Sequence, residues 1–388
     1  MRAPALVMIA VVASCPVSCS KEPAPTPIPT PSPGPDPGPK PSPTPRIDGT
    51  AAASCAETPA LAQPTAEHRV RLTARVVNGI NRTHSYEMRF VAAAPDGARW
   101  AGSASDGAAL WEGTERLRHI PCTTGACQPH EVAFAADGKT LMVGPSRFDI
   151  ETGQGAQLDL EGAFATTGMN EVESVAWAAD GTLVLAATQH RPSRCCRDKP
   201  DTADPPPSGP RLLLLDGHTG ALVRDLGLTW SRALAITAAQ VVAGTRDGLT
   251  VWDRATLTPT VRVDVQASRL VAHPSGALLA SVQRGEVTLW RLPDFCPVGR
   301  FAADREFVHA LAFHPTAPVL FTTGTDGAIH AYSTDTPGLE LGSYAVPGAR
   351  SDRNQVAGTL ALTADGASLV APIYMEERVL VLAIDVPR

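Results

Sequence analysis

Four apolar runs in this chain end in the same small turn: Ala94-Pro95-Asp96-Gly97, Ala135-Ala136-Asp137-Gly138, Ala178-Ala179-Asp180-Gly181 and Thr363-Ala364-Asp365-Gly366. Three weaker copies follow the same logic at Thr237-Ala238-Ala239, His273-Pro274-Ser275-Gly276 and His314-Pro315-Thr316-Ala317. Taking positions 96, 137, 180, 238, 275, 316 and 365, the intervals are 41, 43, 58, 37, 41 and 49. A unit of about 40 residues therefore occurs seven times, with two insertions. A repeat of that length cannot bury its own apolar face and must stack against copies of itself.

Within each unit the apolar residues alternate with period two between turn signals, which is the pattern of strands. One unit reads Leu270-Val271-Ala272, a Pro-Ser-Gly turn, Ala277 to Val282, Arg284-Gly285, then Glu286-Val287-Thr288-Leu289-Trp290 before Pro293-Asp294. Asp106-Gly107, Asp247-Gly248 and Asp326-Gly327 mark a second hairpin, between second and third strands. The third strands end on a large apolar residue, often followed by an acid: Trp111-Glu112, Phe148-Asp149, Leu215-Asp216, Trp252-Asp253, Trp290-Arg291, Tyr332-Ser333 and Ile384-Asp385. Aromatics recurring at a fixed repeat position are read as packing between neighbouring units, not as a cofactor box.

These dipeptides resemble the WD-repeat family. The resemblance implies an all-β fold, a seven-bladed β-propeller of four-stranded antiparallel blades. Only Trp252-Asp253 is the literal dipeptide, and the Gly-His pair of that family is absent before the first strands. The resemblance covers most of residues 68–388. The chain ends on a third strand, Val379 to Asp385, while an orphan strand, His68 to Val76, precedes the first full unit. The orphan is expected to complete the last blade and close the ring, covering edges that would otherwise template aggregation.

The N-terminus reads as an address. Met1-Arg2 and an apolar run from Ala3 to Ala13 make an export signal over residues 1–14, too short to span a bilayer. Val12-Ala13-Ser14-Cys15 resembles the bacterial lipoprotein processing box, which implies a diacylglyceryl thioether on Cys15. Cys19 is the alternative: it fits the box less well, but cleavage before it leaves six further cysteines, an even number. In that resemblance an Asp just after the cysteine implies inner-membrane retention; neither candidate has one, so in a cell with an outer membrane the resemblance implies an anchor there, facing the periplasm or the cell surface. Of the 36 prolines, many fall in residues 22–46, where nearly every second residue is Pro. Proline fixes φ and removes a donor, so neither helix nor sheet forms there, and a polyproline II stalk is expected. Residues 15–49 are thus the anchor and a Pro-rich disordered spacer, and 50–67 an irregular lead-in.

The remaining six cysteines, Cys55, Cys122, Cys127, Cys195, Cys196 and Cys296, are disulfide candidates in an oxidising compartment. Cys122 and Cys127 suit a local bridge. Cys195 and Cys196 lie in a connection that swells between Ala187 and Arg211, and each suits a distant partner such as Cys55 or Cys296. With His190 they could instead hold a soft metal, but the paired Cys-x-x-Cys spacing of a zinc site is missing. No metal or other cofactor is expected.

First-strand starts should ring the mouth of the central channel. Glu87, His130, Glu131, Glu171 and Glu173 fall in the first three blades; Arg232, Arg269, Arg305, His309 and Arg353 fall in the last four. With His190 from the long connection, they are the ligand-face candidates. Acid on one arc and base on the other suits a zwitterionic or peptide ligand. A net charge of −6, from 33 basic and 39 acidic side chains, offers no phosphate-binding surface, so nucleic acid is not an expected partner. His-Glu-x-x-His, Gly-x-Ser-x-Gly, a Walker loop and Cys-x-x-Cys-His are all missing, and Ser105 sits in a hairpin where a nucleophile elbow needs a strand-to-helix turn. The sequence thus reads as a monomeric, non-catalytic scaffold that binds a protein, peptide or glycan. The alternatives are a propeller enzyme (hydrolase, lyase or oxidoreductase, with or without a metal) and a structural factor in envelope assembly.

Overall fold

Alternating side chains need a partner on each sheet face, and the ring supplies one on both sides. The computed structural model describes residues 46–47, 69–78, 90–104, 107–121, 131–144, 146–158, 169–178, 180–190, 210–228, 231, 233–245, 247–347, 359–373 and 378–386. These residues form seven blades, each an antiparallel sheet of strands a to d from the axis outward. Blade 1 is Phe90–Ala93, Arg99–Ala104, Gly107–Glu112 and Glu115–Pro121. Blade 2 is Val132–Phe134, Thr140–Val143, Ser146–Asp149 and Gly155–Gln157, and blade 3 is Met169–Trp177, Thr182–His190, Arg211–Asp216 and Leu222–Leu228. Blade 4 is Ala233–Ile236, Gln240–Thr245, Gly248–Asp253 and Pro259–Val263; blade 5 is Arg269–Ala272, Leu278–Gln283, Glu286–Arg291 and Cys296–Ala302. Blade 6 is Val308–Phe313, Val319–Gly324, Ala328–Ser333 and Glu340–Ala345. Blade 7 takes Ala361–Leu362, Ser368–Ile373 and Arg378–Asp385 from the C-terminus and Arg71–Asn78 from the N-terminal side.

That last pairing is the expected closure. Arg71 faces Asp385 and Asn78 faces Arg378 in an unbroken antiparallel register. The strand begins three residues later than the sequence suggested. The ring also closes at the axis, where the inner strand of blade 7 touches that of blade 1.

Seven apolar clusters hold the ring, one for each pair of adjacent blades. Strand Arg211–Asp216 shows how period two builds this: Leu213 and Leu215 pack toward blade 2, while Leu212 and Leu214 pack toward blade 4. Each large residue ending a c strand faces the blade before it. Trp111 packs on blade 7, Phe148 on blade 1, Trp252 on blade 3, Trp290 on blade 4 and Tyr332 on blade 5. Trp100 and Trp111 stack with centroids 5.2 Å apart. Burying each such ring contributes on the order of 2–3 kcal/mol.

Blade 4 carries a fifth strand that the spacer assignment did not foresee. Arg46 and Ile47 pair in parallel with Arg262 and Val263. The proline-rich stretch ends at Pro45, so from Arg46 on consecutive residues each carry a backbone N–H that a ladder can use. The rest of residues 1–67, including the export signal and both lipidation candidates, lies outside the described residues.

Candidate functional site

Antiparallel order puts the d–a and b–c connections on one face and the a–b and c–d turns on the other. Between them, along the axis, lies a cavity of about 320 Å³. Each blade lends its wall at least one aliphatic side chain from the inner strand or just before it, among them Val91, Val132, Val175, Leu234, Leu270, Leu311 and Leu360. The wall is apolar because the inner strand, like the others, must bury alternate residues.

Four polar side chains interrupt this lining, Glu131, Ser174, Arg269 and Thr359, and the three at strand starts each clasp the next blade. Glu131 of blade 2 accepts the Ser174 hydroxyl at 3.0 Å and the Val175 N–H at 2.9 Å, both from blade 3. Arg269 of blade 5 donates from Nε to the His309 carbonyl of blade 6 at 3.0 Å, and from Nη1 to the Ser268 carbonyl at 3.2 Å. Thr359 of blade 7 accepts the Val91 N–H of blade 1 at 2.7 Å and donates to its carbonyl at 3.2 Å. Glu131 and Arg269 thus place a carboxylate and a guanidinium, three blades apart, on the wall of one cavity.

The other end of the cavity is neutral. Pro274 and Phe313 line it, and the His273 ring meets Phe313 edge-on at 5.2 Å. Burial is the largest influence on His273 and lowers its pKa; the hydrogen bond to the His314 backbone pulls the other way.

Of the residues expected at the mouth, the structure brings Glu131, Arg269 and the His309 backbone together. Arg305 is exposed in the loop between blades 5 and 6. Glu171 pairs with Thr188 in the inner hairpin of blade 3, and His190, read as loop from sequence, is the last residue of its b strand, opposite Met169. For Glu171, Glu173 and His190 only the backbone is described, and Glu87, His130, Arg232 and Arg353 lie outside the described residues. So do Cys55, Cys122, Cys127, Cys195 and Cys196, whereas Cys296 is buried and disulfide-bonded. Among the described residues no three His, Cys, Asp or Glu side chains gather as metal ligands.

Ser174 and Thr359 carried no signal in the sequence, because their roles are set by neighbours in other blades. Asp304 is a third such residue. It precedes the inner strand of blade 6, where the WD-repeat pattern would carry its Gly-His pair. Its carboxylate accepts the Glu306, Phe307 and Asp326 N–H groups and the Thr325 hydroxyl. Burial pushes this carboxyl up, but those donors outweigh it and hold the pKa below the ordinary value.

Residues 295–333 match the WD domain, G-beta repeat family. This stretch is similar to a WD repeat. It spans the outer strand of blade 5 and strands a to c of blade 6, so the repeat is offset from the blade by one strand. That offset is the one by which the N-terminal strand completes blade 7. No curated protein matches the chain.

Proposed function

We propose that the protein is an exported lipoprotein whose propeller is a non-catalytic binding scaffold, with the channel mouth taking a peptide segment of a partner protein that carries charges of both signs. The observation behind this reading is the axial cavity with Glu131 on one arc, Arg269 on the other and aliphatic side chains from all seven blades between them. A charged group entering there is desolvated by the apolar wall, so a mismatched partner loses more than a matched one gains. The WD-repeat likeness supports the same reading, since such propellers typically serve protein interaction. Fold alone does not choose the ligand; the opposed charges are what support a peptide carrying both signs.

Glu131→Gln and Arg269→Gln test this, because each removes the charge while keeping a group able to make the interblade hydrogen bonds. Each variant should weaken capture of the partner from an envelope extract about 10-fold or more, the scale of one charged hydrogen bond, with the melting temperature unchanged. Undiminished capture by both would show that the partner sits elsewhere and would sink the channel reading. For the anchor, palmitate labelling should vanish in Cys15→Ser and persist in Cys19→Ser; the reverse would assign Cys19, and no labelling would remove the lipid.

A further inference from the structure

Among the described residues three large apolar side chains stand exposed: Leu117, Val223 and Phe307. Leu117 and Val223 belong to the outer strands of blades 1 and 3, at the rim, where radial sheets splay apart and leave strand positions uncovered. Phe307 has no such reason. It lies in the d–a connection between blades 5 and 6, on the same face as Glu131 and Arg269, and is 50% exposed. The connection is a fixed base for that ring. The Phe307 N–H donates to the Asp304 carboxylate at 3.1 Å, and its carbonyl accepts the Thr325 N–H of blade 6 at 3.2 Å. The next N–H, of Val308, donates to the Arg284 carbonyl in the b–c turn of blade 5 at 2.8 Å. Turn and loop approach so closely that a Cβ on Gly285 would stand 2.3 Å from the Asp304 carbonyl oxygen.

The charges beside the ring are unequal. Arg284, in that turn, and Arg305, two residues before Phe307, are both exposed. The acids of these loops are mostly committed: Glu286 to Arg300, Asp326 to His330, and Asp304 to backbone and hydroxyl donors. That leaves Glu306 against two guanidinium groups. The patch is continuous with the cavity, because the Arg269 guanidinium bonds the carbonyl of His309, two residues beyond Phe307. We propose that Phe307, Arg284 and Arg305 form a subsite beside the channel, which takes an apolar side chain adjoining a carboxylate on the partner's peptide. This rests on the channel mouth being a peptide site, and it gives the peptide a direction. The acidic, apolar end lies over blades 5 and 6, and the basic end reaches Glu131 of blade 2. Covering the Phe307 ring removes apolar surface from water on both sides. A ring already fixed by its loop loses little freedom when covered, which is what makes an aromatic side chain an anchor in an interface. The guanidinium groups favour the adjoining carboxylate through charged N–H donors. A peptide laid the other way would set its basic end against Arg284 and Arg305.

The test is selection of a displayed library of random dodecapeptides on the purified full chain and its variants. Wild type should enrich peptides with an acidic residue beside an apolar one and a basic residue several positions away. Phe307→Ser should lose the acidic–apolar pair but keep the basic residue, and it should bind the best wild-type peptide about 10-fold more weakly. Arg284→Gln combined with Arg305→Gln should lose the acid and keep the apolar preference. The Phe307 hydrogen bonds are made by its backbone, so an unchanged melting temperature checks that the loop stands in Phe307→Ser. An acidic–apolar pair that survives in Phe307→Ser, or no such pair in wild type, overturns the subsite. The channel reading fails separately. Glu131→Gln should lose the basic residue alone, and a basic preference indifferent to Glu131→Gln would sink that reading while leaving the subsite standing.

Discussion

On the a–b turn face, blades 1 to 4 and blades 5 to 6 reach their neighbours with different groups. Arg99 donates to the Gly138 carbonyl of blade 2 at 3.3 Å, and Arg147 to the Gly217 carbonyl of blade 3 at 3.4 Å. Arg254 of blade 4 reaches back to Asp180 and the Thr182 hydroxyl of blade 3. Blades 5 and 6 use imidazoles instead: His273 bonds the His314 backbone, and His314 bonds the Gly366 backbone of blade 7. These rings must stay neutral. The His314 Nδ1 accepts the Thr316 and Ala317 N–H groups at 3.2 and 2.9 Å, and the His273 Nδ1 accepts the Ser275 N–H at 3.1 Å. A proton on either Nδ1 would set donor against donor. One ring is thus latched by guanidinium groups on one arc and by neutral imidazoles on the other.

The sharpest way to break this contrast is to strike the last imidazole latch at its acceptor. Gly366 has φ +73°, and a Cβ there would stand 2.4 Å from the His314 Nε2. Gly366→Ala should cost roughly 2–4 kcal/mol, from backbone strain plus the displaced ring. Gly113, with φ +55° and nothing within 4 Å, is the control, and Gly113→Ala should cost about 1 kcal/mol. Urea midpoints measure both. Equal losses would mean that the histidine contact contributes nothing.

Acid should separate the arcs next. Burial chiefly lowers both His273 and His314 below the ordinary 6.5, and the charge of His273 lowers His314 further. A lowered folded pKa means that the unfolded chain takes the proton first, so this stability is present above pH 6.5 and lost as pH falls through the folded values. His330, on the flank of blade 6, runs the other way. Asp326 at 2.7 Å is the main cause, with Glu340 at 3.1 Å assisting, and together they raise it to about 9. Its contribution is full below 6.5 and fades as pH rises through about 9. Melting temperature against pH should therefore fall on both sides. His314→Gln should flatten the acid limb below pH 6.5, and His330→Gln the alkaline limb. A single variant that flattened both would refute the two-site account.

How far the sequence reveals this depends on the distance over which each role is set. The residues ending the c strands, from Trp111 to Ile384, were legible because period two and a local turn fix them within one hairpin. The closing strand was legible because an orphan at one end matched a missing strand at the other. The latches were only half legible. His273-Pro274 and His314-Pro315 stood out as weak copies of the Asp-Gly turn, but the hydrogen bond each ring sends to the next blade is a tertiary fact. Glu131 and Arg269 were found as mouth charges, yet the partners they clasp lie 40 or more residues away, as does the Val91 that Thr359 holds across 268 positions. The parallel pairing of Arg46 and Ile47 spans two residues, too few to leave a pattern.

Salt gives the smallest effect and distinguishes the arcs in the opposite sense from acid. Arg254 is nearly buried, its side chain 12% exposed, but its partner Asp180 is 59% exposed. Such a pair contributes about 1 kcal/mol or less and is screened once the Debye length falls to a few ångströms. Arg254 also donates to the Thr237 carbonyl at 3.1 Å, which salt does not screen. Arg254→Ala should therefore lower stability more than Asp180→Ala does; in 1 M salt both differences from wild type should shrink by the screened pair, leaving that of Arg254→Ala the larger. The His314→Gln difference, resting on neutral hydrogen bonds, should stay the same in that salt. If salt instead erased the His314→Gln difference and spared that of Asp180→Ala, the division of the ring into charged and neutral latches would be wrong.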